Sequence, residues 1–231
     1  MKSQRRALLF DLDGVIVNTS HCHYLAWKRL ADREGIHFDE IINERLKGVS
    51  RQASLEIILE KADKLYSEND KFRMMEIKNQ WYVDMLASLS HKDVLPGVIN
   101  LLESARLKNI KTAICSASKS AQLIIEKLNL VDYFDTIVGG NDVTKSKPDP
   151  EVFLVAAERL DISPSDCIVF EDSFAGLEAA KAAGMHSIGL GSREILYIAD
   201  LIYEGMDKLV LKDIQVLFDG GMTDEKSYSS L

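Results

Sequence analysis

The second half of the chain alternates between short apolar runs and longer segments with helical periodicity. The apolar runs lack polar alternation, which is typical of strands buried on both faces of a parallel sheet. Together with one similar run near the N-terminus, these apolar runs predict strands over residues 7–10, 112–115, 136–138, 167–170, 187–190 and 209–211. Apolar stripes between them predict helices over residues 98–108, 120–128, 152–160 and 174–183. This alternation predicts a doubly wound α/β sheet.

Residues 18–90 carry a different pattern, with long helical stretches at 23–33, 51–65 and 72–89 and almost no strand signal. A helical block inserted after the first strand of an α/β domain predicts a cap. The sequence therefore predicts two domains, a core formed by residues 1–17 and 91–231 and an all-helical cap formed by residues 18–90. The polar, glycine-containing residues 220–231 predict a loose tail.

Composition and charge restrict the class of partner. The 231 residues are 46% hydrophobic and 28% charged, as in a globular protein, and they carry a net charge of −8. An acidic chain without a dominant basic face is expected to bind neither nucleic acid nor an anionic membrane. A phosphorylated small molecule stays compatible with this charge, because it needs only a few local cations.

The N-terminus and the cysteines predict a cytoplasmic protein. The basic start of the chain is followed by only four apolar residues, 7–10, which is too short for a signal peptide, and no stretch is long enough to span a membrane. The three cysteines are isolated and lack the spacing of a metal or redox pair, so buried reduced thiols are expected. No long apolar seam is left over for a second subunit, and we therefore expect a monomer.

Two carboxylates lie one residue apart at the end of the first apolar run. Alternation along a strand predicts that Asp11 and Asp13 point the same way. Like charges on one side repel unless a cation or a shared proton lies between them. The pair fits a carboxylate nucleophile beside a carboxylate acid/base, both near Mg²⁺. A solvated turn is an alternative, whereas a calcium loop fits poorly because the apolar residues 15–17 follow.

Three further polar segments lie just after core runs. Ser116 can donate to a phosphoryl oxygen, and Lys147 can neutralise charge on a transferring phosphoryl group. Glu171 and Asp172 can supply oxygens for a hard cation. The alternatives are a solvated surface charge for Lys147 and simple helix capping for the acidic pair. Because ligands bind at the carboxyl ends of strands in open α/β sheets, four such segments favour one shared site.

In this order and spacing, the four segments make the whole chain resemble the haloacid dehalogenase superfamily of phosphoryl-transfer enzymes. The resemblance implies a Rossmann-like parallel sheet core with an inserted all-helical cap domain. It implies that the catalytic residues are Asp11, Asp13, Ser116 and Lys147. It also implies that Mg²⁺ is bound by Asp11, Asp13, Glu171 and Asp172.

A narrower resemblance, to the β-phosphoglucomutase family, is carried by His23 and by residues 10–16, 26–27, 46–51 and 116–119. It implies that Asp11 is phosphorylated and that Asp13 is the general acid/base on the sugar hydroxyl. The cap would close over β-glucose 1-phosphate, with glucose 1,6-bisphosphate as activator and reorienting intermediate. The substrate-binding residues so implied are Thr19, His23, Trp27, Gly48, Val49, Ser50, Arg51, Lys78, Ala117, Ser118 and Lys119.

Several of these residues also have structural interpretations. Arg51 fits a helix-surface charge, Ser118 fits an N-cap, and His23 and Trp27 fit packing within the cap. Two hinge and loop positions, Asn18 and Ser120, depart from the family pattern, in which Asp and Asn are common there. These departures affect cap closure and substrate detail, and they leave the catalytic set intact.

Three functions are therefore weighed. The first is a β-phosphoglucomutase. The alternative is a sugar-phosphate phosphatase of the same superfamily, which has the same core residues but lets water attack the aspartyl phosphate. The third is a phosphosugar-binding protein without turnover, and the complete catalytic set argues against it.

Overall fold

Six parallel strands form the sheet at the centre of the protein: β1 (Ala7–Phe10), β2 (Lys111–Cys115), β3 (Thr136–Val138), β4 (Cys167–Glu171), β5 (His186–Leu190) and β6 (Leu201–Tyr203). In the computed structural model, which describes residues 5–218, they lie in the order β3-β2-β1-β4-β5-β6. Phe10 of β1 is in register with Ile114 of β2 and with Phe170 of β4. These three strands therefore end together at one edge of the sheet.

Five α-helices lie between β1 and β2, and the first four form an insertion: α1 (Ser20–Glu34), α2 (Glu40–Glu44), α3 (Arg51–Leu59) and α4 (Glu68–Met85). We call residues 20–85 the helical insertion. Its apolar side chains form a hydrophobic cluster of their own, which includes Trp27, Phe38 and Met74. The domain boundaries at residues 17/18 and 90/91 stay predictions.

The remaining helices are α5 (Val98–Leu107), α6 (Ala121–Lys127), α7 (Glu151–Leu160), α8 (Phe174–Ala182) and α9 (Leu211–Phe218). Alternation along β1 sends Leu8 and Phe10 into one cluster, with side chains of α5, α6 and α9, and sends Leu9 into another, with side chains of α7 and α8. Helices thus cover both faces, and the predicted doubly wound α/β sheet is confirmed.

The predicted strand over residues 209–211 is wrong. Leu209 follows a 3-10 turn and Leu211 begins α9, whose residues Leu211, Ile214 and Leu217 are buried at helical spacing. A three-residue apolar run cannot distinguish a strand from the start of an amphipathic helix. The sixth strand is instead β6, the equally short apolar run Leu201–Tyr203, whose residues are all only partly buried.

Other predicted segments differ at their ends. The predicted helix over residues 51–65 stops at Leu59, and the one over 72–89 begins earlier, at Glu68, behind a capping box formed by Ser67 and Asp70. The predicted tail, residues 220–231, lies outside the described residues. Among residues 5–218, none of the helices combines the length and the apolar character that crossing a membrane requires.

Candidate active site

A cavity of about 480 Å³ lies at the carboxyl edge of the sheet, between the loops of the core and the helical insertion. The register of β1, β2 and β4 brings the segments after these strands to the same edge. The cavity is lined by the predicted site residues Asp11, Asp13, His23, Trp27, Gly48, Val49, Ser50, Arg51, Lys78, Ser116, Ala117, Ser118, Lys119, Lys147 and Asp172. The other two, Thr19 and Glu171, are fully buried behind it.

Lys147 lies at the centre of a buried group of charges. Its Nζ donates to Asp11 Oδ1 at 2.5 Å, to the carbonyl oxygen of Cys115 at 3.1 Å, and to Glu171 Oε1. The Lys147 side chain is only 1% exposed, so it is not the solvated surface charge that the sequence left open. One cation here therefore lies between two buried carboxyl groups.

Burial and charge oppose each other in this group. Burial raises the pKa of Asp11 well above its usual range, and the charge of Lys147 opposes that rise. Burial by itself lowers the pKa of Lys147, but Asp11 and Glu171 together raise it above its usual range, so the lysine stays charged. A carboxylate nucleophile must be ionised, and Lys147 is the neighbour that favours the ionised form.

Asp11, Glu171 and Asp172 each offer one carboxylate oxygen, and these oxygens lie within 4.8 Å of one another. Three hard oxygen ligands at this spacing fit Mg²⁺, because that ion is bound through carboxylates. Burial, with a smaller contribution from Glu171, raises the pKa of Asp172 to about 7, and a bound cation would favour its ionised form. The observed donor set therefore suits a divalent cation.

Helix capping does not account for this acidic pair. The N-cap of α8 is Ser173, whose hydroxyl oxygen accepts from the backbone N–H of Gly176 at 3.1 Å. The Ser173 hydroxyl in turn donates to Glu171 Oε2 at 2.8 Å. Gly176 passes so close that a Cβ on it would lie 1.9 Å from Glu171 Cδ. Glu171 is thus fixed by Lys147, Ser173 and tight packing, and the capping alternative is not supported.

Gly14→Ala should weaken Mg²⁺ binding by about 10–100-fold, the usual effect of disturbing a ligand's support. Gly14 has φ +84°, and a Cβ on it would lie 2.1 Å from Asp172 Oδ2, so Asp172 would have to move. The matched control is Gly184→Ala, where φ is +71° but nothing lies within 4 Å of the added Cβ. Calorimetric Mg²⁺ titration of both variants checks this, and equal affinities would contradict it.

Asp13 lies apart from the Asp11–Glu171–Asp172 cluster. Its carboxylate accepts a short hydrogen bond from the Thr19 hydroxyl, and its Oδ1 is 3.9 Å from His23 Nε2. Burial raises the pKa of Asp13 to about 6, against the lowering effect of Lys78. A carboxyl group with a pKa near neutrality is suited to acid/base work. The Asp13 carboxylate therefore faces Thr19 and the helical insertion, and binding of Mg²⁺ by Asp13 stays a prediction.

His23 and Lys78 form a pair on the insertion side of the cavity. Lys78 Nζ lies 2.8 Å from His23 Nδ1. Burial, together with Lys78 and Arg51, lowers the pKa of His23 well below its usual value, so the neutral ring accepts this hydrogen bond. Burial likewise lowers the pKa of Lys78 to about 7. The Lys78 ammonium also lies 4.6 Å from the ring centroid of Trp27. Because Trp27 is only 2% exposed, its ring chiefly packs against Lys78 within the insertion.

A second group of side chains that can donate hydrogen bonds to a phosphate lines the same cavity. Arg51 opens α3, and its guanidinium donates to Asn79 Oδ1 at 2.6 Å and to Glu76 Oε1 at 3.4 Å. Its side chain is only 23% exposed, so it is held in place and is not a free helix-surface charge. Ser118 and Lys119 line the cavity from the core side. These cationic and hydroxyl groups can hold a second phosphate.

The serines around this group are tied to backbone. Ser116 Oγ accepts from the N–H of Ser118 at 3.0 Å, and Ser118 Oγ accepts from the N–H of Ser120 at 3.1 Å. Ser118 is therefore not the N-cap of α6, which is Ser120. In contrast, Ser50 does cap α3, by accepting from the N–H of Ala53 at 3.2 Å.

The loop before α3 touches the core directly. Gly48 has φ +73°, and a Cβ on it would lie 2.7 Å from Ser173 Oγ and 3.6 Å from Lys147 Cδ. Only glycine combines this backbone with such a close approach. The helical insertion therefore closes over the buried charge group through this loop.

Of the cavity-lining residues that were not predicted from the sequence, three act on predicted site residues: Lys47, Asn79 and Tyr82. Lys47 lowers the pKa of Asp172, and Asn79 holds Arg51. Tyr82 lies four residues after Lys78 on α4, and this i, i+4 spacing places both side chains on one helix face. That spacing is the sequence signal from which Tyr82 could have been predicted to line the cavity.

Comparisons with known proteins agree with this geometry. The model of the haloacid dehalogenase-like hydrolase family matches residues 5–184. The chain is 42% identical over 209 residues to the β-phosphoglucomutase of Bacillus subtilis strain 168, covering 90% of this chain and 92% of that protein. It is 36% identical over 185 residues to a phosphorylated carbohydrates phosphatase of Thermotoga maritima, covering 79% and 83%.

Among solved structures, the crystal structure of a β-phosphoglucomutase from Clostridium difficile superposes with a TM-score of 0.89 at 40% identity, covering 94% of this chain and 98% of that one. Similar proteins thus carry the names of both a mutase and a phosphatase.

Proposed function

The chain belongs to the haloacid dehalogenase-like hydrolase family, and within that family we propose that it acts as a β-phosphoglucomutase. It would interconvert β-glucose 1-phosphate and glucose 6-phosphate through an aspartyl phosphate and a glucose 1,6-bisphosphate intermediate. The observation that carries this proposal is that one cavity contains both the Asp11–Lys147 pair and the separate donors Arg51, Ser118 and Lys119. A mutase must hold two phosphate groups at once, and a cavity with two such groups of donors suits that task.

In the proposed reaction, an Asp11 carboxylate oxygen attacks phosphorus, and the bond between phosphorus and the sugar oxygen breaks. Asp13 gives its proton to the leaving sugar oxygen and later takes one from the hydroxyl that attacks the aspartyl phosphate. Lys147 offsets the charge on the transferring group, and Ser116 donates to it. Asp11, Glu171, Asp172 and the backbone carbonyl of Asp13 would hold Mg²⁺, which supplies positive charge to the phosphoryl oxygens when bound.

The alternative is a sugar-phosphate phosphatase, which the similarity to the Thermotoga maritima phosphatase favours. Both activities need the same core residues, and they differ in whether water reaches the aspartyl phosphate. The contact of Gly48 with Ser173 and Lys147 supports the mutase, because an insertion closed over the charge group excludes water.

One assay separates the two activities. β-Glucose 1-phosphate is supplied with Mg²⁺ and catalytic glucose 1,6-bisphosphate, and glucose 6-phosphate and inorganic phosphate are followed together. We expect glucose 6-phosphate without matching phosphate release. Phosphate release without glucose 6-phosphate would establish the phosphatase, and Arg51 and Lys119 would then be substrate selectors.

Asp13→Asn should lower turnover by roughly 10²–10⁴-fold, the usual contribution of a general acid/base. Because the Asp13 side chain lies outside the carboxylate cluster, Mg²⁺ affinity should stay close to that of the unmodified protein. Steady-state kinetics with a parallel Mg²⁺ titration check both points. A turnover close to that of the unmodified protein would remove Asp13 from the acid/base role.

We further propose a cytoplasmic monomer that takes a phosphorylated sugar. The three cysteines, Cys22, Cys115 and Cys167, are all free thiols, which supports a reducing compartment.

A further inference from the structure

The hydroxyl of Tyr82 is buried without a hydrogen bond. The Tyr82 side chain is 1% exposed. Within residues 5–218, its hydroxyl is the one buried side-chain nitrogen or oxygen that makes no hydrogen bond. Leaving a buried hydroxyl unpaired costs free energy, and a phenylalanine would avoid that cost, so the group calls for an explanation.

The Tyr82 ring is held firmly in the wall of the cavity. It packs against the His23 ring with centroids 3.9 Å apart, and the Lys78 ammonium lies 4.9 Å from its centroid. Tyr82 belongs to α4 of the helical insertion, and it lines the cavity together with Asp13 and Ser118 of the core. The hydroxyl is therefore fixed at the junction between the insertion and the core.

The hydroxyls of Thr19 and Ser118 both lie near the Tyr82 hydroxyl. Burial raises its pKa above the usual range and Asp13 raises it further, whereas the nearby hydroxyls of Thr19 and Ser118 lower it. The group therefore stays protonated and is available as a donor. It can donate to the oxygen of Thr19, which bonds the acid/base Asp13, or to the oxygen of Ser118, which belongs to the second group of residues that can bind a phosphate.

The protons on these neighbours decide between the two acceptors. The Thr19 hydroxyl donates its hydrogen bond to Asp13, so the lone pairs of the Thr19 oxygen stay free to accept from another donor. The Ser118 oxygen already accepts from the N–H of Ser120 at 3.1 Å. Thr19 is thus the better acceptor. A hydrogen bond from the Tyr82 hydroxyl to the Thr19 oxygen would direct the Thr19 hydroxyl hydrogen towards Asp13.

We propose that Tyr82 is a positioning residue for Asp13. The Tyr82 hydroxyl donates a hydrogen bond to Thr19 and thereby holds the Thr19–Asp13 hydrogen bond in the orientation needed for proton transfer to the sugar oxygen. The inference rests on the acid/base role proposed above for Asp13. It applies equally to a mutase and to a phosphatase, because both must protonate the departing sugar oxygen.

Leaving-group chemistry gives a test that a merely structural role would not pass. A sugar oxygen leaves as a strong base and needs the Asp13 proton, whereas the acetate of acetyl phosphate leaves as a stable anion and needs none. Tyr82→Phe should therefore lower kcat for β-glucose 1-phosphate by about 10-fold, the effect of one lost hydrogen bond, with little change in KM. Single-turnover phosphorylation of Asp11 by acetyl phosphate should keep the rate of the unmodified protein.

Three further variants make the test decisive. Tyr24→Phe is the matched control, since Tyr24 is also in the insertion but its ring packs on Phe38, and neither reaction should change. Thr19→Val should show the same leaving-group pattern as Tyr82→Phe, and the double variant should lose little more than Thr19→Val alone. Asp13→Asn provides the reference pattern, with a larger loss on the sugar phosphate only.

Each contrary result overturns the inference in a distinct way. Unchanged kcat in Tyr82→Phe, or an equal loss with both phosphoryl donors, would show that the hydroxyl does not act through Asp13. Additive effects of Tyr82→Phe and Thr19→Val would remove Thr19 as the link. If Asp13→Asn itself showed no leaving-group dependence, the proposed acid/base role would fail and this inference with it.

Discussion

Asp11→Asn should abolish the aspartyl phosphate and lower turnover by about 10⁴-fold or more, as expected when a covalent nucleophile is removed. The amide cannot attack phosphorus as a carboxylate does. Its carbonyl oxygen can still accept from Lys147, which also keeps its bond to Glu171. The variant should therefore fold with the site geometry nearly intact. Intact-mass spectrometry after exposure to a phosphoryl donor, with steady-state kinetics in parallel, measures both effects.

The control for this substitution is Asp161→Asn. Asp161 is exposed at the end of α7, where it pairs with Arg5, so its loss should change neither phosphorylation nor turnover. If Asp11→Asn kept the activity of the unmodified protein, no aspartyl phosphate would lie on the reaction path. The phosphosugar-binding function without turnover at this site would then regain support.

The position of this nucleophile could be predicted from sequence because it depends on topology. The runs before Asp11, Ser116 and Glu171 are apolar on both faces, and only a buried parallel sheet accommodates three such runs side by side. The carboxyl ends of these strands then meet at one edge whatever the detail of the loops. The family resemblance, which rests on the same segments, extended this prediction to the helical insertion.

The state of each side chain could not be predicted in the same way. Lys145 and Lys147 are both loop lysines in the sequence, yet one is exposed and the other is 1% exposed between two carboxylates. Burial of Lys147 depends on how strands distant in sequence pack together. The role proposed for Tyr82 likewise depends on its neighbours Thr19 and Ser118, which lie outside its helix.

Lys147→Met should disable the enzyme and destabilise it at the same time. The substitution keeps the bulk of the side chain but leaves Asp11 and Glu171 buried with no cation between them. Removing one partner from a buried ion pair costs about 3–5 kcal/mol of unfolding free energy. Without Lys147 the pKa of Asp11 rises further, so less of the carboxylate is ionised, and the charge that stabilises the transferring group is lost as well. Turnover should fall by about 10³-fold or more.

Denaturant unfolding with a metal chelator present measures the stability loss, and repeating it with Mg²⁺ tests its electrostatic origin. A divalent cation beside Asp11, Glu171 and Asp172 would replace the missing positive charge, so Mg²⁺ should restore part of the lost stability but not the activity. The matched control is Lys145→Met, which breaks an exposed pair with Asp149 and should cost at most about 1 kcal/mol. Equal losses in the two variants would mean that the charges around Lys147 are solvated in solution, and the electrostatic argument for its role would fail.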